Sequence, residues 1–329
     1  MKSKFMSILL AIGLVFSAVT ASASDTLVIK VGHGVPETAT LHKGFLKFKE
    51  IVETRSNGSM RVEIYPNQQL GGDRELTEGL QMNNVDITAV TANNLAPFTP
   101  KFFVWDLFFL FQDHEQAYEV LDGEAGKKLL SYLEPIGIKG LGYMENGFRC
   151  LTNSKRDVRS IADLGGIKMR VAENPVQICA WKALGANPTP MAWGELFTAL
   201  QQHTLDGQET SVELIYSQRF YEVQKCLTLT RHIYSPFVFM ASLDFYNDLT
   251  DEQRSIIDAA VAEAIPYQRT LARNMEAEAI EKIRAAGVTV VDVPADMRLK
   301  MRGMLADSAG MVKKRAGEAY DVLMSAVTH

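Results

Sequence analysis

Two arginines are the residues of this chain best suited to holding a ligand. Arg170 lies in Gly165-Gly166-Ile167-Lys168-Met169-Arg170-Val171, where Ile167–Val171 alternates as a strand. Ligands in open α/β sheets bind beyond the carboxyl ends of strands, and Arg170 stands at such an end. Asn174-Pro175 reads as an N-cap and first-turn proline, so the helix it opens aims free backbone N–H groups at the same region and favours an anion. Arg149, in Glu145-Asn146-Gly147-Phe148-Arg149, occupies what reads as a strand-adjacent turn. A guanidinium offers a flat fork of donors that matches a carboxylate bidentately, and it gains strength where water is excluded. Any single arginine, taken alone, more often makes a surface or structural ion pair.

Catalytic and metal-binding patterns do not accompany them. The chain has no GxSxG, HExxH, Walker loop or complete GxGxxG. Gly32-His33-Gly34 begins like a dinucleotide loop, but Glu37 takes the place of the third glycine. The six histidines (His33, His42, His114, His203, His232 and His329) lack metal-ligand spacing. Asp106 and Glu145 are potential acids with no pairing partner in sequence. Cys150, Cys179 and Cys226 form no CxxC and allow one disulfide at most. The expectation is a protein without catalytic residues, cofactor or metal, a secreted enzyme acting on a small carboxylate being the alternative of a different class.

The elements that must position the arginines follow an α/β grammar. A strand at Thr26–Val31 leads to a helix at Thr40–Arg55, a strand at Met60–Tyr65, a helix near Asp73–Met82 and a strand at Asp86–Val90. The order returns with the strand Ile167–Val171, a helix to Leu184, a helix near Gly194–Gln202 and a strand from Leu205. Glu75-Leu76-x-x-x-Leu80-Gln81 before Val85-Asp86 matches Glu195-Leu196-x-x-x-Leu200-Gln201 before Leu205-Asp206 at an offset of 120. This echo predicts two similar lobes with largely parallel sheets. Thr250-Asp251-Glu252-Gln253 is a capping box. The apolar face it opens runs to Gly287, roughly 36 residues or about 54 Å of helix. Such a helix spans both lobes; Pro266 either bends it or splits it in two.

Lys2 and Lys4, the apolar run from about Ile8 to Val19, and Ala21-Ser22-Ala23 make a secretory signal peptide, residues 1–23. The run is shorter than the ~20 residues a membrane span needs. Cleavage moves the formal net charge from −5 to −7, because only Lys2 and Lys4 are lost. An acidic chain argues against nucleic-acid binding.

Four motifs in order then carry a resemblance: Phe103-Val104-Trp105-Asp106-Leu107-Phe108-Phe109-Leu110-Phe111, Gly166-Ile167-Lys168-Met169-Arg170-Val171, Pro188-Thr189-Pro190-Met191 and Leu205-Asp206-Gly207-Gln208-Glu209. The chain resembles the solute-binding proteins of tripartite ATP-independent periplasmic (TRAP) transporters, the DctP-like family. The resemblance implies a two-lobed periplasmic-binding-protein-like α/β fold whose long C-terminal helix crosses both lobes. It places residues 24–147 with 236–275 in lobe I and 148–235 with 276–329 in lobe II. It implies a periplasmic protein whose small organic-acid ligand is gripped by Arg170 with help from Arg149, with membrane transporter subunits as partners, the binding protein itself being a monomer. Resemblance and strand-end placement add His33, Glu75, Thr91, Asn146, Trp193 and Tyr234 to the expected cleft. Many relatives carry Asn where this chain has Thr210, which keeps one hydroxyl and loses an amide donor. This polar set favours a sugar acid such as a uronate or aldonate; a C4-dicarboxylate or keto acid is the alternative. The Trp105 run reads as packing.

Overall fold

The computed structural model describes residues 26–327, so the expected signal peptide and His329 lie outside it. The strands are β1 (Leu27–Gly32), β2 (Met60–Tyr65), β3 (Ile87–Thr91), β4 (Ile138–Asn153), β5 (Lys168–Val171), β6 (Asn187–Pro190), β7 (Gly207–Ser211), β8 (Cys226–Leu229), β9 (Tyr234–Ser242) and β10 (Thr289–Asp292). The helices are α1 (Thr40–Arg55), α2 (Asp73–Gln81), α3 (His114–Asp122), α4 (Glu124–Ser131), α5 (Pro175–Ala183), α6 (Leu196–Gln201), α7 (Val212–Ser217), α8 (Leu243–Asp248), α9 (Asp251–Ala285), α10 (Ala295–Gly303), α11 (Ala306–Ala316) and α12 (Glu318–Val327).

The 120-residue echo is structural. β1, α1, β2, α2 and β3 form one unit whose strands lie in the order β2-β1-β3, all parallel. β5, α5, β6, α6 and β7 repeat it in the order β6-β5-β7, again parallel. Between the units run two antiparallel strands that the sequence reading did not find, β9 and β4. β4 serves both sheets. Its stretch Ile138–Phe148 pairs with β9, whereas Arg149–Asn153 pairs with β7 and Leu151–Asn153 also with β8.

Just before that change of partner the register slips between Glu145 and Gly147. Gly147 has φ +99, a conformation that an L side chain resists, so the bulge depends on glycine there. The Asn-Gly-Phe-Arg segment read as a turn is therefore the interior of a long strand. Its glycine marks a bulge and not a chain reversal.

α9 continues unbroken through Pro266 for 35 residues, about 52 Å at 1.5 Å per residue. Its capping box is made: Thr250 Oγ1 accepts from the Gln253 N–H at 3.2 Å, and Gln253 Oε1 accepts from the Thr250 N–H at 2.9 Å. Two residues beyond the proline, α9 grips the bulge. The Glu145 N–H donates to Gln268 Oε1 at 2.7 Å, while Gln268 Nε2 donates to the Glu145 carbonyl at 2.9 Å and to Thr40 Oγ1 at 3.2 Å. The buried amide thus replaces the neighbouring strand where the ladder is interrupted. Gly44 on α1 makes room for it, since a Cβ there would lie 2.8 Å from Gln268 Cγ.

Gln268→Ala leaves two buried backbone groups unpaired, and we expect it to lower stability by about 2–4 kcal/mol. Urea unfolding measures this; a loss under 0.5 kcal/mol would show that the bulge does not depend on the amide.

The cores lie on the faces of the two sheets. Phe45 and Phe48 of α1 meet Phe239 edge-on, with ring centroids 5.3 and 5.4 Å apart. Trp105 is buried and packs edge-on against Tyr143 at 5.5 Å, as its apolar setting led us to expect. Cys150, Cys179 and Cys226 are unbridged.

Candidate ligand-binding site

β5 delivers Arg170 to the end of its strand, only 4% exposed. Its Nε donates to the Met191 carbonyl at 2.9 Å, and the guanidinium carbon lies 5.7 Å from the centre of the Trp193 ring. No carboxylate among the described residues comes within ion-pair distance of it. Burial pulls its pKa down to about 10, with Arg149 acting in the same direction, against the pull of Glu209 and Asp73. The two terminal nitrogens of the fork are free of these bonds. A buried, uncompensated guanidinium is costly, and an anion relieves that cost.

Arg149 is arranged differently. Its Nε donates to Glu209 Oε2 at 2.5 Å, and its Nη2 donates to Glu209 Oε1 at 2.9 Å and to the Glu209 carbonyl at 2.7 Å. His232 Nε2 reaches the same Oε2 at 3.1 Å, and its Nδ1 meets Thr230 Oγ1 at 2.7 Å. Burial lowers the His232 pKa against the pull of Glu209; the Nε2–H tautomer donates to the carboxylate and leaves Nδ1 to accept from the hydroxyl. Burial alone would raise the Glu209 carboxyl; Arg149 and His232 outweigh it and hold it at about 2. Arg149 reaches the cavity wall with its charge already answered from inside the protein.

Both arginines line a cavity between the two units, together with Thr91, Trp193 and Thr210. Five of the nine expected residues therefore come together. Three polar residues absent from the expected set join them: Asp73, Asn93 and Asn94. Asp73 opens α2 and accepts from Asn94 Nδ2 at 2.6 Å. Its pKa is raised by burial, in spite of its bonds to Asn94 and the Thr91 backbone and the attraction of Arg170. Asn93 Oδ1 is buried without a partner. Applying the strand-end rule to β3 as well as β5 would have found the two asparagines, which follow Thr91 after Ala92. The cavity adjoins a wider cleft lined by Arg74, Glu75, Glu78, Glu173 and Glu195.

The other four expected residues sit elsewhere. Glu75 is on the outer cleft, where its Oε2 accepts from the Gly72 N–H at 2.9 Å and caps α2. His33 is fully buried off the cavity: its Nε2 meets His42 Nδ1 at 3.0 Å and its ring stacks on Phe45 at 5.6 Å. Burial and His42 push its pKa down to about 3. Its neighbours Gly34 and Val35 line the cavity instead. Tyr234 is turned into the core, donating to Glu145 Oε2 at 2.9 Å and packing edge-on against Phe111 and Phe148. Asn146 lines a separate small cavity, where its Oδ1 accepts from Ser211 Oγ at 2.9 Å. In each case a residue assumed to follow a strand end or turn is held by a nearer partner.

Residues 31–311 match the family model described as bacterial extracellular solute-binding protein, family 7, or DctP. The chain belongs to this DctP family. It is similar to the sugar acid binding protein of Advenella mimigardefordensis, solved with galactonate, at 38% identity and TM-score 0.89, covering 92% of this chain and 97% of that one. It is 34% identical to the 2,3-diketo-L-gulonate-binding periplasmic protein YiaO of Escherichia coli, over 84% of each chain. A TRAP periplasmic solute binding protein of Shewanella oneidensis with bound succinate is 31% identical, with TM-score 0.87 and coverage of 92% and 98%. The α/β architecture with its large sheet and long helix is that of the two-lobed TRAP binding proteins. Members of the DctP family bind small organic acids outside the cytoplasm and work with TRAP membrane subunits; the homologues are transport proteins, not enzymes.

Proposed function

We propose that this DctP-family protein binds a sugar acid, such as an aldonate or uronate, and delivers it to TRAP membrane subunits without turning it over. The observation that carries the reading is the inequality of the two arginines. Arg170 has a free fork for one carboxylate, while Arg149 is committed to Glu209. A second ligand carboxylate would lack a cation of its own and would share the cavity with Asp73. Ligand hydroxyls, in contrast, suit Asp73, Asn93, Asn94, Thr91 and Thr210, which together accept and donate.

In this mechanism the carboxylate docks on Arg170, and contacts from Asp73 and the asparagines on the opposite unit favour the closed state. The lobes that close are residues 24–147 with 236–275 against 148–235 with 276–329, in a monomer exported by its signal peptide.

The succinate held by the Shewanella protein supports a second reading, a C4-dicarboxylate ligand. A thermal-shift and calorimetry panel of galactonate, glucuronate, succinate and keto acids separates the two. A sugar acid should raise the melting temperature and be recovered unchanged; a response to succinate alone, or conversion of the bound compound, refutes the proposal. Asp73→Asn should weaken sugar-acid binding about tenfold, the scale of one charge-assisted hydrogen bond at 1.4 kcal/mol. The same substitution should improve succinate binding by removing a like charge, and calorimetry with both ligands reads both effects.

A further inference from the structure

Away from the ligand cavity, a second, small cavity with room for about one water molecule lies at the bulge of β4. It is bounded by the bulge residues Glu145–Phe148, by Ser211–Glu213 where β7 passes into α7, by His114 of α3, and by Ala272, Arg273 and Glu276 of α9. Several polar groups on its wall are satisfied. Glu213 Oε1 accepts from the Thr40 N–H at 3.1 Å and Arg273 bonds Glu115, whereas His114 Nε2 lies 3.5 Å from Glu276 Oε2 without a hydrogen bond.

Three polar atoms, His114 Nε2 among them, are not. Glu145 Oε1 and Asn146 Nδ2 are buried with no protein partner, in residues only 3% and 5% exposed. Each side chain is held in place by its other atom. Glu145 Oε2 accepts from the hydroxyls of Tyr118 and Tyr234, and Asn146 Oδ1 accepts from Ser211 Oγ. Both residues line the same small cavity beside Gly147, where a Cβ would lie 3.0 Å from Glu145 Oε1.

Of these atoms Glu145 Oε1 is an acceptor and Asn146 Nδ2 a donor. Their ligand must therefore both donate and accept. A cation satisfies Glu145 and is repelled by the Asn146 N–H, Arg273 and His114; an anion meets the reverse conflict at Glu145, Glu213 and Glu276. Among the described residues no group of three His, Cys, Asp or Glu could hold a metal ion. Polar cavities with two or more unpaired groups hold ordered water.

We propose that this cavity is a hydration site: a water molecule accepts from Asn146 Nδ2 and donates to Glu145 Oε1. The site lies where β4 changes from the β9 sheet to the β7 sheet. The water joins Glu145, gripped by α9, to Asn146, which is anchored on β7.

The test is a crystal structure of the native protein at a resolution that shows solvent, with a companion crystal soaked in rubidium chloride. A solvent peak within hydrogen-bond reach of both atoms is expected, with no anomalous signal from rubidium. In Asn146→Leu, whose side chain fills the space, that peak should vanish while the other ordered waters stay. Three results overturn the proposal: no peak in native crystals, Glu145 Oε1 bonded directly to Asn146 Nδ2, or rubidium at the site. The native crystals decide the matter even if Asn146→Leu does not fold.

Discussion

Replacing Arg170 with methionine weakens binding of the sugar acid at least a hundredfold, about 3 kcal/mol, and leaves the ligand-free protein as stable as before or more so. The two effects have one cause. The guanidinium is buried with a single bond to a backbone carbonyl and no carboxylate at ion-pair distance among the described residues. In the absence of ligand it is a charge removed from water without compensation. A ligand carboxylate supplies two charge-assisted hydrogen bonds, and methionine can supply none. Methionine also fills much of the same volume, so no large cavity offsets the relief. Calorimetry with the ligand and thermal melts without it measure the pair of effects. An affinity within threefold of the native value would remove Arg170 from the site.

Glu209→Ala acts in the opposite sense: it should destabilise the ligand-free fold by about 3–5 kcal/mol, the cost of stranding a buried charge. Arg149 would lose both side-chain bonds, and His232 would lose the acceptor for its Nε2–H. The same pair gives the fold an acid-labile component. The Glu209 carboxyl is held at about 2, below its ordinary 4.5. Its contribution is complete above about pH 4.5 and is lost as the pH falls through that value towards 2. His33 adds to acid sensitivity over a higher range. Its pKa is about 3 against an ordinary 6.5, so protons favour the unfolded chain progressively below pH 6.5. Urea unfolding of native and Glu209→Gln proteins between pH 7 and 3 tests the first component. If the two lose stability in parallel below pH 4.5, Glu209 is not its source.

Much of the architecture was legible because it is written locally. Alternation placed β1, β2 and β5, Thr250 and Gln253 announced α9, and the echo at 120 residues foretold two units with the same strand order. β4 and β9 were missed because they pair over long distances and are buried on both faces, which erases the alternation. At the site, Arg170 was found by the strand-end rule, and Thr91, Thr210 and Trp193 came with the resemblance. The partnership of Arg149 with Glu209 was not legible, since it joins residues 60 positions apart across two strands. Asp73 was hidden for another reason: as the first residue of α2, it reads as an ordinary acidic helix start.

The place of β9 in the sheet bears on how the chain is able to fold. β3 finds its second neighbour only when Phe237–Ala241 arrives, about 150 positions later, and β4 needs the same strand on its other side. Until residue 242 is available, β3 and β4 each present an open edge, a template for wrong pairing. Such distant pairing is slow to form, because the intervening chain must be ordered before the contacts reward it. The first unit is thus not an autonomous folding domain, although it contains a complete β-α-β-α-β motif. Hydrogen exchange on a chain truncated at residue 233 tests this: β1 and β3 should exchange freely, and native-like protection there would show that the first unit folds alone.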